Sequence, residues 1–197
     1  LRLPEGSTIE FYEGELLHVI TVKGIEYCGK AAFAGNIPLL MSLIAAFPCD
    51  DLIVSYAICG GHLGVAQWLV HGRGFGVPID CYGVAIEKGN TMALDWVWSQ
   101  LGRPSNSFSY YALAMAYNQL GVIDWLAKHG FGNNVELNSR NIRQSALNPY
   151  VVAAHLGRLD AIKRLWSCGI RGSYQEAYNN ATSQEIRDWF DAHKLGH

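Results

Sequence analysis

The feature that most constrains the fold is a short pattern that recurs along the chain. Its reference residue is a Gly or Asn, with Ala four positions before it and apolar residues mainly four, five and eight positions after it. In the clearest copy the reference residue is Gly61, accompanied by Ala57, Val65, Ala66 and Leu69. The other reference residues are Gly35, Gly89, Asn118, Gly157 and, in a weaker copy that includes Ile186 and Trp189, Ala181.

This pattern predicts two helices joined by a tight turn, repeated along the chain. Positions four, five and eight lie on one face of a helix with 3.6 residues per turn, so the segment after each reference residue is amphipathic. Gly and Asn readily adopt the left-handed conformation that ends a helix, and the small Ala allows a neighbouring helix to approach closely. One helix pair cannot bury its apolar face alone, so successive pairs must stack. We therefore predict an all-α solenoid of about six helix-turn-helix repeats.

The sequence around Gly61 resembles the core of the ankyrin repeat. Residues 57–69 have the form Ala-x-x-x-Gly-His-Leu-x-Val-x-x-Trp-Leu, and Asn148 and Pro149 stand where that family has the Thr-Pro that opens its first helix. Most intervals between reference residues are shorter than the ankyrin period of about 33 residues. Four tyrosines occupy positions where the family usually has Leu, namely Tyr82, Tyr111, Tyr150 and Tyr174. This variant is similar to the ankyrin-type repeats of giant DNA viruses, algae and oomycetes.

The resemblance implies a domain organisation and a function. It covers residues 27–192 as an ankyrin-like repeat array, which leaves residues 1–26 as an N-terminal cap and residues 193–197 as a C-terminal tail. Such an array implies a non-enzymatic scaffold or adaptor that binds a protein partner through its concave face. Three alternatives have the same fold: a structural component of a larger assembly such as a viral particle, the targeting segment of a longer protein, and a nucleic-acid binder that uses the basic C-terminal half.

The resemblance also indicates which residues would contact the partner. In ankyrin repeats the two residues before the reference position are exposed on the concave surface and vary with the partner. The corresponding residues here are Phe33, Cys59, Glu87, Lys88, Ala116, Tyr117, His155, Leu156, Asn179 and Asn180. We expect Phe33, Tyr117 and Leu156 to form the apolar centre of that surface, since aromatic and apolar anchors dominate many interfaces. The alternative is that these side chains are half-buried between repeats.

The long interval between Asn118 and Gly157 is a second candidate site. Its extra residues, 131–148, are polar and include Arg140 and Arg143. Together with the basic residues downstream, Arg158, Lys163, Arg164 and Arg171, it would suit an acidic protein surface or a phosphate backbone. A simple insertion, or one additional helix, explains the same segment.

Several motifs were weighed as catalytic or metal-binding sites. Cys59 and His62 are close enough in sequence to be a nucleophile and its base, but His62 stands where ankyrin repeats have a structural His or Asn. His193 and His197 have the spacing of a metal pair on a helix, yet they fall in the predicted tail. The recurring tryptophans, Trp68, Trp96 and Trp125, are expected to pack in the core rather than to stack on bases. We therefore expect no catalytic residue, no metal and no cofactor.

Charge, hydropathy and cysteine content narrow the class of partner and the compartment. The formal net charge of −2 gives no bulk attraction to nucleic acid, so we do not expect a nucleic-acid partner. No apolar stretch approaches the roughly 20 residues that span a membrane, so no membrane partner is expected. The five cysteines are odd in number and lack CxxC spacing, which favours reduced thiols over a disulfide framework. These features predict an intracellular protein of the cytoplasm or nucleus, including a virus-encoded one acting in a host cell or particle.

Overall fold

The computed structural model describes residues 24–104, 108–131, 148–172, 174–193 and 195. These residues contain twelve helices and no strand, which confirms the all-α prediction for the described part of the chain. They divide into two compact units, one ending at Cys81 and the other beginning at Tyr82.

The helices follow one another in pairs. The first three pairs are α1 (residues 24–33) with α2 (Ile37–Ala46), α3 (Leu52–Cys59) with α4 (Leu63–Arg73), and α5 (Asp80–Glu87) with α6 (Thr91–Leu101). The next three are α7 (Phe108–Ala116) with α8 (Leu120–Lys128), α9 (Pro149–His155) with α10 (Leu159–Ser167), and α11 (Tyr174–Asn179) with α12 (Gln184–Ala192).

Five of the six reference residues form the same left-handed turn between the helices of a pair. In the α3–α4 pair, Gly61 has φ +83° and its amide donates to the Ile58 carbonyl at 2.9 Å, while the His62 amide donates to the Ala57 carbonyl at 2.8 Å. These two bonds satisfy the last carbonyls of α3, as in a Schellman motif. The same pair of bonds and a positive φ recur at Gly35, Gly89, Asn118 and Gly157. The predicted turn is therefore confirmed at these five positions.

Asn118 makes this turn without being glycine, and it is the only described non-glycine residue with a positive φ, at +58°. We expect Asn118→Ala to lower the free energy of unfolding by about 1 kcal/mol, because Ala is strained in the left-handed conformation. Asn118→Gly should leave stability unchanged or raise it slightly, since glycine adopts this conformation freely. Urea denaturation of the two variants beside the wild type measures the difference, and equal stabilities would contradict the argument.

The sixth turn departs from the predicted pattern. Here α12 begins at Gln184, three residues after Ala181 rather than two, and the Ser183 hydroxyl caps the helix by accepting from the Ile186 amide. The longer turn shifts the buried face of α12 by one residue. Phe190 is consequently fully buried, whereas Trp189, which the pattern placed on the apolar face, is only half-buried.

In the second unit the helices form two layers. The first helices of the pairs lie side by side, with α9 packed against both α7 and α11. The second helices do the same, with α8 packed against α6 and α10. Because neighbouring pairs are aligned, equivalent positions of successive pairs occur on the same side of this unit.

Three buried tyrosines tie the first helix of a pair to the end of the second helix. The hydroxyls of Tyr82, Tyr111 and Tyr150 each donate to a backbone carbonyl twenty residues further along, at 2.5, 2.8 and 2.8 Å respectively. Burial raises the pKa of all three phenols, that of Tyr82 to about 12. At each of these three positions the tyrosine therefore adds a hydrogen bond to the core.

In the first unit, α1 lies directly against α3. A Cβ on Gly29 would be 3.0 Å from the Tyr56 ring, and one on Gly60 would be 1.9 Å from the Phe33 carbonyl oxygen. The second helix of this pair departs from the pattern, because Leu39, predicted on the apolar face of α2, is 48% exposed.

Cys28 and Cys49 form a disulfide, with their Cα atoms 6.8 Å apart. The prediction of reduced thiols is therefore wrong for these two residues. The helical hairpin of α1 and α2 explains the pairing, because it brings the middle of α1 close to the segment that follows α2. Such proximity is not visible in the cysteine spacing. The other three cysteines, Cys59, Cys81 and Cys168, are free thiols.

Candidate partner-binding surface

The described partner-binding candidates all lie at the ends of first helices or in the turns that follow them. In the first unit, Phe33 is 49% exposed and Cys59 is half-buried. In the second unit, Glu87 is half-buried, and the exposed candidates are Lys88, Ala116, Tyr117, His155, Leu156, Asn179 and Asn180. Arg140 and Arg143 lie outside the described residues.

Tyr117 and Leu156 are the large apolar side chains of this set in the second unit. They are 47% and 45% exposed and each directly precedes a left-handed turn residue, Asn118 or Gly157. Since α7 and α9 pack side by side, the two side chains occupy equivalent positions on neighbouring pairs. Phe33, Tyr117 and Leu156 are thus each about half exposed to solvent. This exposure lies between the two alternatives from the sequence, an exposed apolar centre and a half-buried position between repeats.

Side chains that follow the reference residue connect successive turns within the second unit. Gln119 Nε2 donates to the Glu87 carbonyl at 2.8 Å, and Thr182 Oγ1 donates to the Ala154 carbonyl at 3.2 Å. The Arg158 guanidinium donates to the Met115 carbonyl. Each bond runs back to the end of the preceding first helix, so the turns that present the candidate residues are fixed relative to one another.

Sequence analysis did not predict these bonds between successive turns, although the sequence contains a signal for them. In all six copies the residue after the reference position is polar and has a side-chain donor: Asn36, His62, Asn90, Gln119, Arg158 and Thr182. His62 shows the same arrangement in the first unit, because its ring lies against Gly35 in the preceding turn. This position supports the structural interpretation of His62.

The basic residues downstream of the long interval are largely engaged in contacts within the second unit. Arg164 Nη2 lies 2.7 Å from Asp124 Oδ2, and the Arg171 guanidinium carbon lies 4.0 Å from the centre of the Trp166 ring. Arg158 binds the Met115 carbonyl as described above. Only Lys163 of this group is exposed without such a contact among the described interactions. The structure therefore does not assemble the four residues into one free basic surface.

The recurring tryptophans pack as predicted where they fall in the second unit. Trp96 is 9% exposed and Trp125 is 6% exposed. Trp125 Nε1 donates to Asp95 Oδ1 at 2.7 Å, and its ring stacks on His129 with the ring centres 3.9 Å apart. Trp68 is half-buried, with the Arg73 guanidinium 5.1 Å from its ring.

Two of the free thiols, Cys81 and Cys168, do not have the environment of a catalytic nucleophile. Burial raises the pKa of the Cys81 thiol, which is fully enclosed and lies 3.3 Å from the Ser55 hydroxyl. Burial also raises the pKa of Cys168, with a further contribution from its contact with Asp124. A raised pKa keeps a thiol protonated at neutral pH, whereas nucleophilic catalysis needs the thiolate.

The remaining motifs are also engaged in structural contacts. In residues 72–76, which contain Gly72, Gly74 and Gly76, the Gly76 amide donates to Asp51 Oδ1 at 2.8 Å. His193 stacks on Trp189, and its partner in the suggested metal pair, His197, lies outside the described residues. Within the described residues no cluster of three His, Cys, Asp or Glu side chains has the arrangement of a metal site.

In the described part of the chain, none of the helices combines the length and the apolar character required to cross a membrane. No protein-family model matches the sequence, and no curated protein is significantly similar to it.

Proposed function

We propose that the chain is an ankyrin-like repeat solenoid of about six repeats that acts inside the cell by binding a protein partner. The binding surface consists of the exposed ends of the first helices and the turns that follow them. Support comes from the five left-handed turns with identical hydrogen bonds, and from the two-layer packing of the helices in the second unit.

The observation that carries this proposal is the exposure of Tyr117 and Leu156 at equivalent positions of α7 and α9. Packing in the hydrophobic core does not explain these two apolar side chains, since both are nearly half exposed. Tyrosine offers a large contact area with little loss of side-chain entropy and is enriched among residues that dominate binding energy. These two side chains therefore form a suitable apolar centre for a protein interface.

The fixed turns add to the argument. The bond from Arg158 to the Met115 carbonyl links the turn that presents Leu156 to the end of α7, where Tyr117 lies. A surface ordered before binding loses less conformational entropy when the complex forms. This preorganisation favours specific recognition by the repeat array itself.

A protein partner agrees with the charges better than nucleic acid does. The net charge is −2, and among the basic residues near α10 Arg164 is already paired with the Asp124 carboxylate. Nucleic-acid affinity depends on cations that neutralise phosphates, so the paired Arg164 contributes less to it.

The test is to identify the partner by photo-crosslinking and then to measure its affinity. A photoreactive amino acid replaces Tyr117 in one sample and Met92 in a control, because Met92 is 70% exposed on the second helix α6 of the same unit. A protein captured from the native source only by position 117 is then purified. We expect Tyr117→Ala and Leu156→Glu each to weaken its binding by roughly 30-fold, about 2 kcal/mol, and Met92→Ala to leave it unchanged.

Circular dichroism establishes that each variant remains folded. If Tyr117→Ala and Leu156→Glu bind as tightly as the wild type while Arg140→Ala/Arg143→Ala does not, the polar segment is the site and the proposed surface is wrong. If neither position captures a protein, binding of a protein partner by this surface is refuted.

A further inference from the structure

The disulfide of the first unit joins two parts of a helix pair that also contributes to the candidate surface. Cys28 is fully buried in α1, and Cys49 is half-buried in the segment after α2. Because the two residues are 21 positions apart, the bond closes a loop that contains most of α1 and all of α2. Closing such a loop restricts the unfolded chain and stabilises the folded hairpin.

The same helix has an exposed side with three features of an interaction surface. Tyr27 is 51% exposed and Phe33 is 49% exposed. Lys30 lies between them in sequence, with its ammonium group 5.9 Å from the centre of the Tyr27 ring and paired with Glu26. The buried side of α1 thus contains the cysteine, and the opposite side contains the aromatic residues.

Several contacts hold α1 in place within the first unit. The disulfide connects Cys28, in the middle of the helix, to Cys49, while Gly29 lies against the Tyr56 ring and the Phe33 carbonyl lies against Gly60 of the α3–α4 turn. Loss of the disulfide removes the covalent attachment and leaves the packing contacts. The order of α1, and with it the placement of Tyr27 and Phe33, then depends on packing alone.

We propose that the Cys28–Cys49 pair is a reversible redox site that controls the order of α1 and its exposed aromatic residues. Its co-reactant is a dithiol reductant of the kind that maintains intracellular thiols. Two electrons and two protons pass from the dithiol to the S–S bond, which breaks to give one thiol on Cys28 and one on Cys49. The reductant becomes its own disulfide, and re-oxidation by a disulfide of the same class reverses the exchange.

The composition of the chain agrees with a reversible pair. The three other cysteines are free thiols, which is the usual state in a reducing compartment. A disulfide in such a compartment forms and breaks with the local redox state rather than serving as a permanent crosslink.

The state of the pair is tested first by alkylation and mass spectrometry. Protein purified without reductant is denatured and alkylated before and after treatment with dithiothreitol. We expect Cys59, Cys81 and Cys168 to react at once, and Cys28 and Cys49 to react only after reduction. Immediate alkylation of Cys28 and Cys49 would overturn the proposal.

The consequence for α1 is tested by hydrogen exchange of the folded protein. Reduction should speed amide exchange in residues 24–33 by about tenfold or more, because the helix loses its covalent attachment to the segment after α2. In Cys28→Ala/Cys49→Ala the same residues should exchange fast with or without dithiothreitol, whereas Cys59→Ala should respond to the reductant as the wild type does. Unchanged exchange in the reduced wild type would overturn the proposal even if the disulfide is present.

The intracellular reductant and the link from this redox site to partner binding rest on the proposed function. With a partner captured by a photoreactive amino acid at position 33 of the same unit, reduction should weaken its affinity for the wild type and leave its affinity for Cys28→Ala/Cys49→Ala unchanged. Failure to capture a partner would refute the proposed function without affecting the alkylation and exchange results. A captured partner whose affinity ignores reduction would refute only the control of binding by the redox site.

Discussion

Gly60→Ala is expected to lower the free energy of unfolding by about 3 kcal/mol, an unusually large effect for the addition of one methyl group. The Cβ would lie 1.9 Å from the Phe33 carbonyl oxygen and 2.7 Å from its carbonyl carbon. Both are backbone atoms, which cannot turn aside as the tip of a side chain can. Either α1 must move away from the α3–α4 turn, or the turn itself must distort.

The conformation of Gly60 excludes a left-handed backbone as the reason for glycine at this position. Its φ of −75° and ψ of −5° are ordinary helical values that Ala adopts without strain. The next residue provides the contrast, because Gly61 has φ +83° but no atom within 4 Å of its hypothetical Cβ. Gly61→Ala should therefore cost only the strain of a left-handed Ala, about 1 to 2 kcal/mol.

The matched control for the Gly60 variant is Gly64→Ala in the following helix. Gly64 is exposed within α4, and no atom lies within 4 Å of its hypothetical Cβ. This substitution should raise stability by up to about 1 kcal/mol, because Ala favours the helix over glycine. Urea unfolding followed by circular dichroism ranks the three variants. A stability of Gly60→Ala within about 0.5 kcal/mol of the wild type would show that α1 and the turn are not in close contact.

The positions of the turns could be predicted because they depend on local chemistry. A left-handed residue ends a first helix whatever surrounds it, so Gly61 and Asn118 reveal the turn by their identity. The apolar positions that follow are equally local, since one side of an amphipathic helix is set by its 3.6-residue period. For the same reason the candidate residues Tyr117 and Leu156 could be located next to their turns.

The features that were missed depend on neighbours distant in sequence. The sequence does not indicate that Gly60 lies against Phe33. Likewise, Cys28 comes close to Cys49 only after α1 and α2 form their hairpin. The register of α12 was wrong because Ser183 caps the helix one residue later than the pattern allows. Apolar identity alone did not decide between Trp189 and Phe190, since both lie close to the predicted stripe.

Alkaline pH should destabilise the second unit, with a loss of stability of about 4 kcal/mol as the pH rises from about 9 to about 11. The cause is the three buried tyrosines whose hydroxyls donate to carbonyls, Tyr82, Tyr111 and Tyr150. In the unfolded chain a tyrosine has a pKa of about 10. Burial raises the pKa of each phenol in the folded protein, to about 12 for Tyr82.

The sign of the pH effect depends on whether the folded or the unfolded state keeps the phenol protons to higher pH. Below about pH 10 the three phenols are protonated in both states, so their full contribution to stability is present. Above that pH the unfolded chain loses these protons while the folded protein keeps them, so unfolding becomes more favourable as pH rises. Each tyrosine contributes about 1.4 kcal/mol per pH unit until the pH passes its folded pKa.

Tyr150→Phe separates this ionisation from the hydrogen bond itself. At neutral pH the variant should be less stable than the wild type by about 1 kcal/mol, since the Ile170 carbonyl loses its donor. Near pH 11 that difference should vanish or reverse, because the phenyl ring of the unfolded variant has no hydroxyl proton to lose. Tyr111→Phe should behave in the same way, because the Tyr111 hydroxyl of the wild type donates to the Phe131 carbonyl.

Urea unfolding at a series of pH values, followed by circular dichroism, measures these stabilities. The difference in tyrosinate absorbance between the wild type and Tyr150→Phe reports the ionisation of Tyr150 alone. This difference should appear together with the loss of helix, because a buried phenol ionises when the fold opens. If it appears well before the helices are lost, the Tyr150 phenol is accessible in the folded protein and its hydrogen bond to the Ile170 carbonyl does not seal the core. If the deficit of Tyr150→Phe stays constant across the alkaline range, the folded and unfolded pKa values of Tyr150 are equal, and burial of this hydroxyl does not contribute to the pH dependence of folding.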